Sequence, residues 1–286
     1  MQLTLISGLS GSGKSIALKL LEDTGYYCVD NLPASLLPQL VEQLRVEGYR
    51  RVGVAMDVRS GASIEALPEI VAEVRQKVPD LRFIFLDARD ESLIARYSES
   101  RRRHPLAEGS VTLQEAIHRE RELLHRVAEL GQRIDTSALH PNVLRAWLRE
   151  LIESAPGNGP SLLFQSFGFK HGLPVDADFV FDVRCLPNPF YDPAMRKLSG
   201  LDQPVIAFME ASDDAMRMAR DIRRFVADWL PSFSHDGRSN LTIAIGCTGG
   251  QHRSVYLAEW LAREFAGQAR VMVRHRSLDA NGKKAG

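Results

Sequence analysis

The sequence is short of several features that would place a protein in a class at once. Its three cysteines, Cys28, Cys185 and Cys247, are an odd, sparse set without metal-ligand spacing, which suits a reducing compartment. No apolar run approaches the ~18 residues of a membrane span, and no basic segment precedes the first apolar run as in a secretion signal. We therefore expect a cytoplasmic protein that does not cross a membrane.

The sequence also lacks net charge. Its 36 Lys and Arg residues balance 36 Asp and Glu residues, so no global field draws the protein onto nucleic acid or an anionic membrane. The basic residues are 29 arginines and only 7 lysines, and arginine is the better fork for phosphate and carboxylate groups. A length of 286 residues, 44% of them apolar, predicts two domains with ordinary cores.

One segment near the start matches a phosphate-binding loop (P-loop). It reads Gly8-Leu9-Ser10-Gly11-Ser12-Gly13-Lys14-Ser15. In this pattern the glycines let backbone N–H groups surround phosphate oxygens, the lysine reaches the β and γ oxygens, and the serine hydroxyl ligates Mg²⁺. An apolar run precedes the loop, and apolar residues at helical spacing follow it. The pattern predicts a nucleotide triphosphate site with Mg²⁺, in which Lys14 and Ser15 act on the phosphates. An incidental glycine-rich turn is the alternative.

Short apolar runs alternate with helical patterns through the first half, which predicts parallel strands covered by helices. We place these strands at residues 3–6, 26–29, 52–56, 83–86 and 133–135. Asp30, Asp57 and Asp87 each follow one of the runs, at the edge where open α/β sheets bind ligands. Each acid could order Mg²⁺ or a nucleophile, or could cap the next helix, and for Asp87 we favour the cap.

An arginine-rich stretch follows, with Arg96, Arg101, Arg102 and Arg103. In small phosphotransferases an arginine-bearing lid at this place closes over the phosphates. A solvated helix face paired with neighbouring glutamates is an equal alternative. Beyond it, Thr112-Leu113-Gln114-Glu115 predicts a capping box at the start of a long helix.

A cluster of glycine and proline at residues 154–160 marks the domain boundary. We expect a P-loop domain at residues 1–153, a linker at residues 154–160 and a smaller α/β domain at residues 161–286. In the second domain we place strands at residues 161–164, 179–182, 204–208 and 241–245, and a helix at residues 213–229.

The last of those strands runs into a second loop, Gly246-Cys247-Thr248-Gly249-Gly250-Gln251-His252-Arg253-Ser254, and another helix follows. A cysteine separated from Arg-Ser by five residues is the spacing of cysteine-dependent phosphatases, in which a thiolate and an arginine hold phosphate. The setting between strand and helix favours an anion site. Three interpretations stay open: a phosphorylated small molecule held without chemistry, a phosphatase with Asp182 or His252 as general acid, and a structural turn with a buried cysteine.

The C-terminal stretch is basic. From His252 onward there are seven Lys and Arg residues against three acids, a surplus that is an electrostatic footprint for a phosphate backbone. Residues 270–276 alternate, so their three arginines are expected to point to one side of a strand. A solvent-facing edge strand protected by charge is the alternative. Our candidate RNA-binding residues are Arg270, Arg274, Arg276, Lys283 and Lys284.

Together these segments resemble the RapZ/YvcJ family of bacterial P-loop nucleotide-binding proteins. The resemblance rests on the P-loop and on eight further segments: Val29-Asp30-Asn31-Leu32-Pro33, Asp57-Val58-Arg59-Ser60, Arg101-Arg102-Arg103-His104-Pro105-Leu106, Ile134-Asp135-Thr136-Ser137, Phe167-Gly168-Phe169-Lys170-His171-Gly172, Asp182-Val183-Arg184, Leu186-Pro187-Asn188-Pro189 and the second loop, Gly246 to Ser254.

The resemblance implies a kinase-like N-terminal domain that binds ATP at Gly8 to Ser15 and GTP at Asp57, Val58, Arg59 and Ser60, and that hydrolyses both slowly. It also implies a C-terminal domain that senses an amino-sugar phosphate and, in some members, binds a small RNA and presents it to an endoribonuclease. Those members are oligomers with a basic C-terminal tail. The residues indicated for the phosphorylated ligand are Asp182, Arg184, Cys247, Thr248, Gly249, Gly250, Gln251, His252 and Arg253.

We therefore predict an α/β protein that binds ATP and GTP with Mg²⁺, hydrolyses them weakly and has a regulatory role linked to RNA. We expect it to form a homo-oligomer. The alternatives are a small-molecule kinase, a binding adaptor whose nucleotide site is vestigial, and a phosphatase centred on Cys247.

Overall fold

Two parallel β-sheets organise the chain. In the computed structural model the chain divides into two compact units, Met1–Pro156 and Gly157–Gly286. The structure describes residues 1–59, 64–137, 139–153, 161–235 and 240–278. Each unit is built around a sheet of its own, with five strands in the first and four in the second. The predicted α/β class is therefore confirmed, with a parallel sheet in the P-loop unit and a smaller one in the second unit.

The N-terminal unit alternates strands and helices. In chain order its elements are β1 (Gln2–Gly8), α1 (Lys14–Asp23), β2 (Tyr27–Val29), α2 (Leu37–Val46), β3 (Arg51–Ala55), α3 (Leu67–Lys77), β4 (Leu81–Asp87), α4 (Asp90–Ser100), α5 (Leu113–Leu123), α6 (His125–Ala128), β5 (Gln132–Asp135) and α7 (Pro141–Glu153). All five predicted strands are confirmed. The predicted capping box is also present, because Thr112 and Glu115 exchange hydrogen bonds at the start of α5.

The strand order of the first sheet determines where the P-loop lies. The sheet runs β2-β3-β1-β4-β5, and its paired strands are all parallel. β1 is central, with Ile6 opposite Ala55 of β3 and Gly8 opposite Leu86 of β4. The loop after β1 therefore lies at the same edge as the residues that follow β3 and β4, which is the edge where such sheets bind ligands.

The strands of this unit have apolar sequences because helices cover the sheet. Leu3 and Leu5 of β1 are 0% exposed, and Phe83 and Phe85 of β4 are at most 3% exposed. Strands that are buried in this way read as near-continuous apolar runs rather than as alternating ones. The buried strands give the loops at their ends a rigid support.

The C-terminal unit repeats this plan with fewer strands. Its elements are β6 (Ser161–Gly168), β7 (Phe179–Asp182), α8 (Gln203–Glu210), α9 (Asp213–His235), β8 (Asn240–Cys247), α10 (Arg253–Phe265) and β9 (Arg270–His275). The sheet runs β7-β8-β6-β9, again with parallel pairs. Gly168 lies opposite Cys247, and Asp182 lies opposite Gly246. The second loop therefore starts at the same edge as the segments that follow β6 and β7.

One predicted strand is wrong. Residues 204–208 lie in α8, which has a proline in its first turn, a position that proline favours because no hydrogen bond is lost there. Val205 and Met209, four residues apart, are both 0% exposed and so form one buried helix face. A five-residue apolar run has no period that separates a strand from a short helix, and the prediction failed for that reason.

The long helix α9 is amphipathic. Ala215, Ala219, Ile222 and Val226 are buried at helical spacing, while the opposite face carries exposed charge. Neither α9 nor any other helix in the described ranges is both long and apolar enough to span a bilayer.

Candidate functional site

The P-loop connects β1 to α1 and lies against β4. Gly8 has a φ of 144°, and a Cβ at this position would collide with the Leu86 carbonyl group, so only glycine fits. The next amide, Leu9 N–H, donates to the same carbonyl oxygen at 3.1 Å. Helix α1 begins at Lys14, so its N-terminal N–H groups and the positive end of its dipole face the loop.

The Lys14 side chain lies back over this loop. Its Nζ donates to the carbonyl oxygens of Gly8 at 2.8 Å and Leu9 at 3.1 Å, and it lies 3.7 Å from Asp57 Oδ2. Burial lowers the pKa of Lys14, and the carboxylates of Asp57 and Glu120 oppose that shift. The ammonium is thus held between carbonyl groups and acids, and phosphate oxygens could replace these partners.

Asp57 joins the two predicted nucleotide segments. It follows β3 and is 2% exposed. Its Oδ1 accepts the Arg59 N–H at 2.9 Å, and Arg59 Nε lies 3.7 Å from Oδ2. Val58 is buried in the core, and Ser60 lies outside the described residues. The structure therefore brings part of the segment predicted for GTP to the lysine of the segment predicted for ATP.

The donor groups near Lys14 suit Mg²⁺. Ser15 is an exposed residue in the first turn of α1, and Asp57 supplies a carboxylate, and oxygen ligands of this kind are those that Mg²⁺ prefers. The buried Ser12 hydroxyl has no hydrogen-bond partner within the part of the chain that the structure describes. Because buried hydroxyls are normally satisfied, this loop is suited to a polar ligand, and its residues fit a magnesium-bound phosphate.

The other two strand-end acids differ from Asp57. Asp87 is 0% exposed and accepts hydrogen bonds from Arg121 and Arg133, each at 2.9 Å. Our helix-cap interpretation of Asp87 is wrong, because its carboxylate is engaged by these two arginines and does not cap α4. Asp30 is exposed at the end of β2 and stays a candidate to order metal or water.

Sequence reasoning missed one buried acid, Glu120 of α5. Its Oε2 accepts the Ser10 N–H at 2.8 Å and lies 3.1 Å from His104 Nε2, and its Oε1 accepts the Ser10 hydroxyl at 2.7 Å. The side chains of Glu120 and His104 are both 0% exposed. A signal was present in the sequence: Ile117, Glu120 and Leu124 are spaced three and four residues apart, which places the acid on the apolar face of its helix.

Arg96 of α4 also contacts the P-loop. Its guanidinium donates to Gly11 O and to Thr136 Oγ1, both at 3.1 Å, and Thr136 Oγ1 donates to Ser12 O at 2.9 Å. Arg96 therefore holds backbone carbonyl groups of the loop, which neither of our two interpretations anticipated. The other three arginines of the stretch are exposed, and their lid role stays a prediction: Arg101, Arg102 and Arg103.

The second loop begins with a buried thiol. Cys247 is 3% exposed; its Sγ accepts the Gly250 N–H at 3.2 Å and lies 3.2 Å from the Ser254 hydroxyl. Although burial opposes ionisation, hydrogen bonds from Ser254 and Gly250 lower the pKa of Cys247. Gly250 has a φ of 72°, and a Cβ there would collide with the Ser277 hydroxyl, so the turn around the sulfur requires glycine.

Arg253, the first residue of α10, is 3% exposed. One terminal guanidinium nitrogen donates to Arg184 O and Leu186 O, both at 2.9 Å, and the other lies 3.4 Å from Thr248 Oγ1. Its Nε is buried and has no hydrogen-bond partner among the described residues. Arg253 thus ties the segment after β7 to the second loop and keeps one donor for a further acceptor.

The remaining residues predicted for a phosphorylated ligand are placed differently. A hydrogen bond from Arg184 lowers the pKa of the exposed Asp182. Burial lowers the pKa of His252, and its Nε2 lies 3.2 Å from Met195 O. An acid that is already ionised and a histidine engaged with the backbone are poor proton donors, which argues against phosphatase chemistry at this loop. In the loop itself Thr248 is exposed, and Gly249 and Gln251 are half-buried.

The predicted basic face is smaller than expected. β9 lies at one edge of the described sheet, but Arg274 is 5% exposed and its guanidinium lies 3.1 Å from the carboxylate of buried Asp176. Arg274 is therefore engaged with an acid inside the fold, and its role in RNA binding stays a prediction. Arg270 and Arg276 are half-buried. The two lysines of the predicted set, Lys283 and Lys284, lie outside the described residues.

Comparison with known proteins identifies the family. The RapZ-like N-terminal domain matches residues 1–155, and the RapZ C-terminal domain matches residues 160–279. A nucleotide-binding protein of Azoarcus sp. (strain BH72) is 66% identical over 277 residues, which cover 97% of this chain and 95% of that protein. One from Dechloromonas aromatica (strain RCB) is 58% identical over 278 residues, covering 97% of this chain and 99% of that protein.

Solved structures resemble this chain more remotely. Shikimate kinase from Bacteroides thetaiotaomicron aligns over 54% of this chain and 99% of its own chain, at 15% identity and a TM-score of 0.38. The family assignment therefore rests on the two domain matches and on the identities above, which agree along nearly the whole sequence. The chain belongs to the RapZ family.

Proposed function

We propose that the N-terminal unit binds ATP and GTP with Mg²⁺ at one site and hydrolyses both slowly. The observation that carries the proposal is the position of Asp57, whose carboxylate lies 3.7 Å from Lys14 Nζ beside the P-loop. The relatives from Azoarcus and Dechloromonas bear the name of nucleotide-binding proteins, which supports the same assignment.

Each residue of the site has a part in this proposal. The backbone N–H groups of the loop surround the phosphates, and Lys14 exchanges its carbonyl partners for β and γ oxygens. Ser15 and Asp57 hold Mg²⁺, which neutralises charge on the β- and γ-phosphates. The arginine that contacts the loop, Arg96, is committed to Gly11 O and Thr136. This arginine is therefore not available to stabilise transferred charge, which supports the proposal of slow hydrolysis.

Equilibrium binding of ATP and GTP to wild type and to two lysine variants tests this proposal. Lys14→Ala is expected to weaken binding at least about 30-fold, because a charge-assisted contact to phosphate is lost. Lys19→Ala is the matched control, since Lys19 is an exposed lysine of the same helix, and it should bind like wild type. Unchanged affinity in Lys14→Ala would overturn the assignment.

We also propose that the second loop, Gly246 to Ser254, holds the phosphate group of a small molecule without acting on it. The supporting observation is Arg253, whose buried Nε has no partner among the described residues, at the N-terminus of a helix of 13 residues. An amino-sugar phosphate is our candidate ligand, on the basis of the resemblance to the RapZ/YvcJ family.

This second proposal is tested by titration with an amino-sugar phosphate and with the unphosphorylated sugar. Wild type should bind only the phosphorylated form, and Arg253→Ala should lose that binding. Arg263→Ala, an exposed arginine of the same helix, is the control. Because Arg253 also holds two backbone carbonyl groups, thermal unfolding of each variant should accompany the titration. A folded Arg253→Ala protein that still binds the phosphorylated sugar would contradict the proposal.

A role as an RNA adapter that delivers small RNA to an endoribonuclease, as a homo-oligomer, extends this proposal. It is supported by the surplus of basic residues from His252 onward. Crosslinking in cells should recover discrete transcripts that are lost when Arg270, Lys283 and Lys284 are replaced by alanine. Arg274 is left unchanged in this variant, because its guanidinium contacts the buried Asp176 carboxylate and its removal would disturb that pair. No enrichment over background would argue against the RNA role.

A further inference from the structure

A carboxylate from helix α5 is hydrogen-bonded to the P-loop. Glu120 accepts both donors of Ser10, the backbone N–H at 2.8 Å and the hydroxyl at 2.7 Å. Ser10 is one of the four residues between the glycines of the motif. Backbone N–H groups of this loop are the donors that normally meet phosphate. At Ser10 these donors are already taken by an anion that belongs to the protein.

The hydrogen bonds around Glu120 favour its ionised form. Leu106 N–H donates to His104 Nδ1 at 3.1 Å, and a backbone amide can only donate, so His104 Nε2 carries the proton of a neutral ring. That Nε2–H donates to Glu120. Although burial opposes ionisation of Glu120, the bonds from His104 and Ser10 and the charge of Lys14 lower its pKa. Three neutral donors therefore surround the Glu120 carboxylate and stabilise its ionised form.

The negative charge of Glu120 acts on Lys14, the lysine proposed to contact the β- and γ-phosphates. The carboxylates of Asp57 and Glu120 both stabilise the Lys14 ammonium. Asp57 is suited to share a Mg²⁺ ion with the nucleotide, so its charge is matched when ligand binds. Glu120 is fully buried, its hydrogen-bond donors are neutral, and Lys14 is a cation that stabilises its charge. A γ-phosphate that reaches Lys14 must therefore compete with this carboxylate for the ammonium.

We propose that Glu120 is a specificity-determining residue of the nucleotide site, an internal anion that competes with the terminal phosphate for Lys14 and for the donors of Ser10. This inference rests on the proposed nucleotide function. It predicts that Glu120 weakens the binding of nucleoside triphosphate more than that of diphosphate, because the diphosphate lacks the group that Lys14 shares with the carboxylate.

Glu120→Gln removes the charge and keeps the size of the side chain. The amide oxygen can take the place of Oε2 and accept from Ser10 N–H and His104, while the amide nitrogen donates to Ser10 Oγ, whose own proton then becomes available to phosphate. Glu120→Asp keeps the charge and shortens the side chain. Glu122→Gln removes the same charge from an exposed position of the same helix and is the matched control.

The experiment is equilibrium titration of these variants and of Lys14→Ala with Mg·ATP and Mg·ADP. Glu120→Gln should bind ATP about tenfold more tightly than wild type, with a gain for ADP below about threefold, since one unit charge acts on the terminal phosphate at short range. Glu120→Asp and Glu122→Gln should show no gain. An equal gain for both nucleotides, or none for either, would overturn the inference while leaving the nucleotide site intact.

Failure of the nucleotide site itself would look different. If wild type and Glu120→Gln both bind neither nucleotide, or if Lys14→Ala binds as well as wild type, the proposed function and this inference fall together. If Glu120→Gln does not fold, Ser10→Ala tests the same competition with the opposite sign. That variant removes one donor from the carboxylate, which should then hold Lys14 more firmly and weaken ATP binding several-fold relative to ADP. An unchanged ATP to ADP ratio in Ser10→Ala would equally overturn the inference.

Discussion

Lys14 Nζ lies 3.7 Å from Asp57 Oδ2, although the two residues belong to separate segments that were predicted to bind different nucleotides. The contact follows from the sheet, in which β1 and β3 are neighbours and end at the same edge. A lysine that serves one triphosphate is thus within reach of the acid assigned to the other. Two independent nucleotide sites in this unit would have to share both side chains.

ATP and GTP should therefore compete. A fluorescent ATP analogue bound to wild type is expected to be displaced completely by GTP, with a displacement constant equal to the GTP dissociation constant measured directly. The physical reason is that both ligands need the same ammonium and the same loop amides. Simultaneous binding of one ATP and one GTP per chain, seen as additive stoichiometry in calorimetry, would contradict this expectation.

Asp57→Asn should separate metal-dependent from metal-independent binding. The substitution removes a carboxylate that suits Mg²⁺ but keeps the side-chain shape, so affinity for Mg·ATP should fall about tenfold or more. Affinity for ATP in excess chelator should stay equal or rise, because a negative charge near the phosphates is gone. Asp30→Asn is the control, and loss of the metal dependence there instead would transfer the metal role to Asp30.

Asp87→Asn should affect stability rather than nucleotide binding. Asp87 is buried between Arg121 and Arg133. A neutral amide removes this carboxylate from both guanidinium groups, although Arg121 keeps its ion pair with Asp90. Because the arginines are about one-third exposed, water offsets part of the loss, and we expect the free energy of unfolding to fall by about 2 kcal/mol. Urea unfolding measures this value. Intact stability with lost ATP binding would instead place Asp87 in the site.

The sequence predicted the parts of this protein whose signal is local. The P-loop, the strand before it and the helix after it could all be predicted. Their signals, the glycines, the lysine and the spacing of apolar residues, lie within about twenty residues of one another. The same holds for the capping box at Thr112. Strand ends that carry an acid were also found, and the parallel sheet then brought Asp57 to Lys14.

What the sequence did not predict depends on tertiary partners. Arg274 is one of a basic set in the sequence, and the fold pairs it with Asp176. Asp87 was predicted as a cap, and the fold places two arginines around its carboxylate. The spacing of Glu120 with Ile117 and Leu124 indicates a buried acid on α5, but only the fold shows that its partner is Ser10. Charged side chains were misjudged because their roles depend on burial, which a single sequence reveals poorly.

The pKa values of two thiols, Cys28 and Cys247, should be shifted in opposite directions. Burial raises the pKa of Cys28 to about 12, whereas the hydrogen bonds at the second loop outweigh the effect of burial and lower the pKa of Cys247 below the ordinary value of 9.0. Thiolate absorbance against pH, compared between wild type, Cys28→Ser and Cys247→Ser in a Cys185→Ser background, should resolve an early and a late step. Each shift also couples folding stability to pH. The stability that Cys247 adds should be lost as pH falls through its lowered pKa. The stability that Cys28 adds should be lost as pH rises from 9 toward 12. A late step for Cys247 would show that Gly250 and Ser254 do not stabilise a thiolate there.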